Sequence, residues 1–342
     1  MNKYFFLILL SLKLSFSQSP VFELLNSNQT GVEFNNLIED KKEHNILLYA
    51  NYYGGGGVGI ADFDNDGLQD IYFGGNLVSD VIYKNLGDFK FEDKTINSGI
   101  NDNGSWSSGV TIADVNNDGL VDVYVSKELY DDKPELRRNK LYINKGNFTF
   151  EESSKSWGVD VSARTRHAVF FDYNNDGHLD LYLLNQPPNP GSYSKFFGSD
   201  LTLPEYSLQL FRNTGSNSFI DVTEEAGLKR TGFPNSVVAS DLNNDGFVDL
   251  YVANDFEAPD FLYFNNGASL QVGFISTIAD NIINTAQSNT VPSVGDFCFI
   301  AKNPGSESFG LRGYHSTIKL INGSSSFVEL YAVNAEVNKS YM

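Results

Sequence analysis

The sequence predicts an all-β protein, a β-propeller of four-stranded blades, and three observations support this. An Asp-rich segment recurs at 62–70, 114–122, 172–180 and 241–249, with starts 52, 58 and 69 residues apart. Short apolar stretches flank every copy, and aromatic residues make up 14% of the chain, with 27 Phe and 18 Tyr. Aromatic side chains favour strands, and repeats of about fifty residues with four short strands are typical of propeller blades.

Each repeat is predicted to contain a strand before its Asp-rich loop, a strand after it, and a third strand that ends in an Asn-x-Gly turn. The first strands are predicted at 57–61, 109–113, 167–171 and 236–240, the second at 71–73, 123–125, 181–183 and 250–252, and the third segments at 81–87, 140–146, 210–215 and 261–267. A fourth strand is clear in three repeats, at 89–93, 148–152 and 219–222. The strands are apolar on both faces, as in sheets stacked between neighbouring blades. A parallel solenoid would need fewer strands per repeat, and a jelly roll would not repeat.

The Asp-rich loops are candidate metal sites. We number them loop 1 (62–70), loop 2 (114–122), loop 3 (172–180) and loop 4 (241–249). Each has side-chain oxygens at positions one, three, five and nine, a glycine at position six that permits a sharp bend, and a backbone carbonyl at position seven. The predicted ligands are Asp62, Asp64, Asp66, Leu68, Asp70, Asp114, Asn116, Asp118, Leu120, Asp122, Asp172, Asn174, Asp176, His178, Asp180, Asp241, Asn243, Asp245, Phe247 and Asp249.

The donors of these loops are all oxygen atoms, which favours about four Ca²⁺ ions, with Mg²⁺ or Mn²⁺ less well suited. Asp, Asn and Gly are also common in turns for conformational reasons alone, but four copies in one register favour a metal. An EF-hand needs a bidentate Glu at position twelve and helical flanks. Position twelve is instead Phe73, Val125, Leu183 or Val252, each within a predicted strand, which excludes the EF-hand.

The net charge of −19 excludes a nucleic-acid partner, because a phosphate backbone needs a Lys/Arg surface. Residues 1–17 are predicted to be a signal peptide, with Lys3 before an apolar stretch and small residues before Gln18. No segment is long enough and apolar enough to span a membrane. Cys298 is the single cysteine, which excludes an intrachain disulfide. We therefore expect a secreted protein, extracellular or periplasmic.

The predicted domains follow from the repeats. Residues 18–44 form an N-terminal lead-in segment, and residues 45–267 form the propeller. Residues 268–342 contain no fifth loop and are assigned as an uncertain β-rich segment. They are a divergent β-module, extra blade strands without calcium, or a foreign or truncated end, and the sequence leaves these alternatives open. Four blades are the lower limit for a closed ring, so an open or incomplete propeller is an alternative to a closed one.

Three specific stretches resemble the FG-GAP/VCBS repeats of integrin-α-type propellers. They are Gly-Val-Gly-Ile-Ala-Asp-Phe-Asp-Asn-Asp-Gly at 57–67, Ile-Tyr-Phe-Gly-Gly-Asn at 71–76 and Val-Ala-Asn-Asp-Phe-Glu-Ala-Pro-Asp at 252–260. The similarity is greatest to the exported bacterial, ASPIC/UnbV-associated relatives of the cartilage acidic protein family. The resemblance implies structural calcium between the first two strands of each blade, and surface recognition as the usual role. Members of the family usually have seven blades, whereas four loops are found here.

The predicted function is adhesion or protein interaction, without catalysis. Two long connections between second and third strands, 126–139 and 185–207, are predicted to form the ligand face, since long loops on a rigid scaffold often carry recognition. The partner is expected to be a protein or glycan at a cell surface or in the medium. A lectin-like carbohydrate-binding module is the first alternative, and a polysaccharide lyase or hydrolase is the second. The four histidines (His44, His167, His178 and His315) are scattered and form no hydrolase motif.

Overall fold

The computed structural model describes residues 21–102, 104–130, 132–187, 206–255 and 258–267, together with the backbone of 270–279 and 282–286. The predicted signal peptide and residues 287–342 lie outside the described residues. In this part of the chain no helix is both long and apolar enough to cross a membrane.

The predicted all-β fold of four-stranded blades is confirmed. Four antiparallel sheets follow one another along the chain, and consecutive strands are neighbours in every sheet. Blade 1 contains β1 (Val58–Ala61), β2 (Asp70–Phe73), β3 (Val81–Asn85) and β4 (Phe91–Asp93); blade 2 contains β5 (Trp106–Ala113), β6 (Asp122–Glu128), β7 (Lys140–Asn144) and β8 (Phe150–Glu152). Blade 3 contains β9 (Arg164–Phe171), β10 (Asp180–Gln186), β11 (Gln209–Asn213) and β12 (Phe219–Asp221); blade 4 contains β13 (Pro234–Ser240), β14 (Asp249–Asn254), β15 (Phe261–Asn265), β16 (Leu270–Ala279) and β17 (Ile282–Ala286). The described helices are α1 (Ser27–Thr30), α2 (Ser154–Trp157) and a 3-10 turn at Pro134–Arg137.

Several strands extend further than their apolar stretches. In blade 2, β6 continues to Glu128 and pairs with Trp106 after an irregularity between Ser107 and Gly109. The added residues Ser126, Lys127 and Glu128 are polar yet buried. Lys127 Nζ donates to Ser107 Oγ and Asp80 Oδ2, and Glu128 Oε2 accepts from Tyr49 and Arg166, whereas Ser126 Oγ has no hydrogen-bond partner among the described residues. The apolar stretch of the sequence therefore ends before the strand does. Blade 4 also has a fourth strand, β16, that its sequence did not reveal, and a fifth, β17, at the edge of its sheet.

Each pair of neighbouring blades buries one apolar core, as strands with two apolar faces require. Between blades 1 and 2 the core includes Tyr72 and Val125, between blades 2 and 3 it includes Tyr124 and Leu183, and between blades 3 and 4 it includes Tyr182. The tyrosine in the middle of each second strand thus packs toward the following blade. The first strands approach closely: Gly57 has a φ of 89°, and a Cβ there would lie 2.7 Å from Val110 N.

The lead-in segment makes contacts with blade 1 that resemble those a preceding blade would make. The segment that follows the fourth strand of a blade is called its tail. The tail of blade 1 (residues 98–101) crosses blade 2 at Gly99, which lies against Phe150 O. In the same way, Gly31 of the lead-in ends α1 in a left-handed conformation and lies against Phe91 O in β4. Glu33 N donates to Tyr83 Oη at 3.2 Å, as Asn101 N donates to Tyr142 Oη. Residues 26–33, the lead-in strap, therefore repeat the contact that the blade 1 tail makes with blade 2.

Candidate metal centre

The four Asp-rich loops share one backbone conformation and connect the first and second strands of their blades. The fourth loop residue is left-handed in each, with φ of 58° at Asn65, 57° at Asn117, 57° at Asn175 and 60° at Asn244. The sixth is a glycine with φ between 83° and 90°. Asn and Gly tolerate this region better than other residues, so the repeated Asn-Asp-Gly sequence fixes the fold of the loop.

The first aspartate of each loop anchors the turn. Asp114 Oδ1 accepts a hydrogen bond from Asp118 N at 3.1 Å, and Asp114 Oδ2 accepts one from Gly119 N at 2.8 Å. The same two bonds reach Asp62, Asp172 and Asp241. Because both oxygens are oriented by backbone donors, the carboxylate is held at one side of the loop.

The third and fifth residues lie next to each other in the loop. In loop 2, Asp118 Oδ1 accepts from Leu120 N at 2.8 Å, and Asp118 Oδ2 accepts from Asn116 Nδ2 at 2.8 Å. Loops 3 and 4 repeat the side-chain pair with Asn174–Asp176 and Asn243–Asp245. The oxygens predicted as ligands at positions one, three and five thus belong to one ordered network.

The ninth aspartate has a second role that the sequence did not reveal. Asp122 is 1% exposed; its Oδ2 accepts from Val115 N at 3.0 Å, and its Oδ1 accepts from Asn144 N in β7 at 2.8 Å. The corresponding Asp70, Asp180 and Asp249 make the same two bonds. This carboxylate ties its loop to the third strand of the blade. Each oxygen keeps a second lone pair that a cation could use.

Burial controls the ionisation of these ninth aspartates. It raises the pKa of Asp122 and Asp180 to about 7, although two backbone N–H donors act in the opposite direction. Burial also raises the pKa of Asp70 and Asp249. A nearby cation would favour the charged form of these groups.

Loop 1 differs from the others because a lysine enters it. Lys84 in β3 forms ion pairs with Asp64 and Asp66, and its hydrogen bond lowers the pKa of Asp66. Loop 1 also has Asp64 where the other loops have asparagine. Sequence reasoning missed Lys84, and the signal that could have found it was this extra loop carboxylate together with a lysine directly before the Asn-x-Gly turn.

The donor set of loop 1 fits a hard cation. Ligand oxygens of Asp62, Asp64 and Asp70 lie within 4.8 Å of one another, and Asp64 Oδ1 is buried without a hydrogen-bond partner. Carboxylate oxygens in such a cluster are the ligands that Ca²⁺ prefers. Among the described residues only loop 1 forms such a group of three carboxylates; loops 2, 3 and 4 have an asparagine at the position of Asp64.

The seventh loop residues point their side chains away from the carboxylates. The His178 ring packs against Gly215, where an added Cβ would lie 2.6 Å from His178 Nε2. The Phe247 ring packs against Gly267 in the same way. His178 Nδ1 is also 3.3 Å from Asn117 Nδ2 in the preceding loop. These contacts leave only the backbone carbonyl of position seven for a metal, as predicted for Leu68 and Leu120 as well.

Asparagine side chains connect each loop to the next blade. Asn65 Nδ2 donates to Gly119 O at 3.0 Å, and the pairs Asn117–Gly177 and Asn175–Gly246 repeat this bond. In return, the asparagine that ends each third strand donates to the second residue of the preceding loop: Asn144 to Phe63 O, Asn213 to Val115 O and Asn265 to Tyr173 O. We call these two bonds the asparagine latch; each of the three blade junctions has both.

The predicted ligand face is described only in part. The first connection begins after Glu128, later than predicted, and its Arg137 and Arg138 hold it to the blade 2 tail through Ser162 O at 2.8 Å and Asp160 Oδ2 at 2.7 Å. These two arginines are therefore structural contacts. The aromatic part of the second connection lies within 188–205, outside the described residues.

Among the histidines, His167 lies in β9 as predicted, where its ring faces Gly109 of blade 2. Burial lowers the pKa of His167. His44 lies in the lead-in, where its ring packs edge-on to Tyr130 at 5.3 Å. His315 lies outside the described residues. The described histidines do not come together.

Comparisons with known proteins agree with the repeat pattern. A family model described as FG-GAP-like repeat matches residues 62–125, 131–183 and 201–252. Cartilage acidic protein 1 of Homo sapiens is 23% identical over 207 residues, 60% of this chain and 29% of that protein. Cartilage acidic protein 1 of Xenopus tropicalis is 26% identical over 136 residues, 39% of this chain and 20% of that protein. The chain thus spans less than a third of these relatives.

Among solved structures, the V. cholerae biofilm matrix protein Bap1 matches with a TM-score of 0.34 and 15% identity, over 66% of this chain and 30% of that chain. The resemblance drawn from the loops and their flanking strands is confirmed by the family match, which covers all four Asp-rich loops. The chain thus contains FG-GAP-like repeats in three regions.

Proposed function

We propose that the protein is an exported, calcium-binding interaction module with one structural calcium ion at each Asp-rich loop. The observation that carries this proposal is the shared geometry of the four loops, in which oriented carboxylates at positions one and five lie beside a buried carboxylate at position nine. Residues 62–70, 114–122, 172–180 and 241–249 would hold the ions.

Calcium would supply positive charge to carboxylates that repel one another without it. Loop 1 brings four acidic groups together, and each of the other loops brings together three acidic groups and an amide. Like charges at such distances destabilise the fold. A bound ion converts this repulsion into attraction. A site held at a hundred times its dissociation constant stabilises the folded state by about 2.7 kcal/mol, so four sites supply about 11 kcal/mol at most.

The first experiment measures the melting temperature of the mature protein with excess calcium and with EDTA, together with the number of bound ions by native mass spectrometry. We expect a large calcium-dependent rise and about four bound ions. The rise should shrink in steps as Asp66, Asp118, Asp176 and Asp245 are changed to Ala. Glu135→Ala, on the exposed 3-10 turn, is the matched acidic control and should leave both readouts unchanged. No bound calcium and no shift would refute the proposal.

The interaction role is supported by the FG-GAP-like repeats and by the placement of the long connections. They lie at the ends of the blades opposite the Asp-rich loops, so a partner could bind there while calcium maintains the scaffold. We expect deletion of residues 190–204 to abolish binding to a protein partner found by cross-linking at the cell surface, with the calcium-dependent melting retained. Binding confined to a glycan array would favour the lectin-like alternative, and turnover of glycans or esters would contradict a non-catalytic role.

A further inference from the structure

The first blade exposes apolar side chains that are buried at the internal blade junctions. Val58 and Ile60 in β1 are 54% and 61% exposed. Val110 and Ile112 occupy the same repeat positions in blade 2, where they pack in the core between blades 1 and 2. Blade 1 therefore presents the part of its face that a preceding blade would cover.

The fourth blade exposes the opposite face. Val238 in β13 is 54% exposed, whereas Val169, at the same repeat position in blade 3, packs against the core shared with blade 4. Tyr72, Tyr124 and Tyr182 are completely buried, but Tyr251 in blade 4 is only half-buried. Blade 4 therefore presents the face that a following blade would cover.

The asparagine latch is left incomplete at the same two ends. At blade 1, Asn85 Nδ2 bonds only to Gln69 O of its own blade within the described residues, and Gly67 O receives no latch bond there. At blade 4, Asn244 Nδ2 and Leu242 O likewise have no latch partner among the described residues. Each end therefore offers one donor and one acceptor. By repeat position, Asn244 Nδ2 of blade 4 corresponds to the donor for Gly67 O of blade 1, and Asn85 Nδ2 of blade 1 corresponds to the donor for Leu242 O of blade 4.

The rest of the blade 1 face is already completed by its own chain. The lead-in strap takes the place of a preceding blade tail at Phe91 O, and Phe34 stacks on Phe73 with ring centroids 4.9 Å apart. Among the residues that the structure describes, only the first strand and the loop end of this face still lack a neighbour. A following blade 4 could supply both without providing a tail of its own.

We propose that the blade 4 end of one copy of this chain docks on the blade 1 end of a second copy, head to tail. Asn244 then donates to Gly67 O across the contact, and Asn85 donates to Leu242 O. Ile60 packs on Tyr251 of the second copy, as Phe170 packs edge-on to Tyr124 with centroids 6.1 Å apart inside the chain. Such a contact joins two different surfaces, so it closes a ring or grows as an open array. A second copy is favoured because each end matches an interface that this chain already forms three times.

The test measures the mass of the full-length protein in solution by light scattering and sedimentation, with calcium in excess. We expect a dimer or larger assembly. Ile60→Asp and Val238→Asp should each give monomers, because each places a charge in one half of an apolar contact. The control is Ile220→Asp, at a position that is 48% exposed on β12, which should assemble like the unchanged protein.

Mixing the two variants distinguishes a head-to-tail contact from any symmetric one. Ile60→Asp keeps an intact blade 4 end, and Val238→Asp keeps an intact blade 1 end. Their equimolar mixture should therefore form a dimer that neither variant forms alone. A protein that stays monomeric at about 100 μM, a concentration that would populate even a weak specific contact, would overturn the proposal. Two variants that remain monomers when mixed would also overturn it, and unchanged melting curves would show that both are folded.

Discussion

Lys84 Nζ lies 2.7 Å from Asp66 Oδ2 and also contacts Asp64, so an ammonium group stands among the carboxylates of loop 1, and no ion pair in the described part of the chain places a cation in the other three loops. The residues at the same position in blades 2, 3 and 4 are Ile143, Arg212 and Phe264. A calcium ion in loop 1 would have to share or displace this charge. The four sites are therefore not equivalent.

Replacing Lys84 should strengthen calcium binding at loop 1. We expect Lys84→Met to tighten the weakest calcium-binding step by about tenfold, which is about 1.4 kcal/mol, because it removes a cation from the site. Isothermal titration calorimetry measures this step directly. Lys90→Met is the control. Lys90 is exposed on the turn after β3, so this substitution removes the same charge at a greater distance from loop 1. An equal gain in both variants would mean that only the overall charge matters.

The asparagine latch predicts unequal costs for two similar substitutions. Asn213 Nδ2 donates to Leu179 O within its blade and to Val115 O in blade 2, whereas Asn85 Nδ2 donates only to Gln69 O among the described residues. Both side chains also accept a bond from the glycine two residues later. Asn213→Ala should therefore lower the free energy of unfolding by about 1–3 kcal/mol more than Asn85→Ala. Chemical denaturation with calcium in excess gives the difference, and equal losses would show that the latch does not stabilise the junction.

The sequence revealed the fold because the same local rules repeat in every blade. The apolar stretches, the central tyrosines and the Asn-x-Gly turns all correspond to strands or turns of the structure. The sequence did not reveal where β6 and β10 end, because Lys127 and Asn185 are polar residues that are buried with partners. A hydropathy pattern records apolar residues and does not record which polar ones find hydrogen bonds inside.

The candidate site was predictable at the level of the loop and less so at the level of the individual oxygen. Spacing placed positions one, three, five and nine together, but it could not show that Asp122 accepts two backbone bonds from different parts of its blade. The role of Gly31 was also hidden, since the lead-in strap resembles a blade tail only once its contact with Phe91 O is known. Such contacts depend on residues far apart in the chain.

The two kinds of loop aspartate should respond differently to calcium removal. Asp122→Asn leaves an amide nitrogen facing a backbone N–H, so it should cost about 2–4 kcal/mol even in EDTA. Asp118→Asn keeps an acceptor for Leu120 N, removes one charge from the loop and loses only the exposed acceptor that Asn116 Nδ2 uses, so in EDTA it should cost less than Asp122→Asn. With calcium in excess, both variants should be less stable than the unchanged protein. If Asp122→Asn had no effect in EDTA, the ninth aspartate would be a metal ligand alone.

Glu128 predicts a pH-dependent stability difference that is separate from the metal loops. Its Oε2 accepts from Tyr49 Oη and from Arg166 Nη1, while Oε1 is buried without a hydrogen-bond partner. Burial raises the pKa of Glu128, and Arg166, Tyr49 and Arg164 offset only part of this effect. A carboxyl whose pKa is higher in the folded than in the unfolded state favours folding at low pH, and this contribution is lost as the pH rises above the unfolded value of about 4.3. Glu128→Gln should therefore gain stability relative to the unchanged protein as the pH rises from about 4.3 towards neutral. Denaturation across that range, with Glu135→Gln as the exposed control, checks this, and a difference that does not change with pH would contradict it.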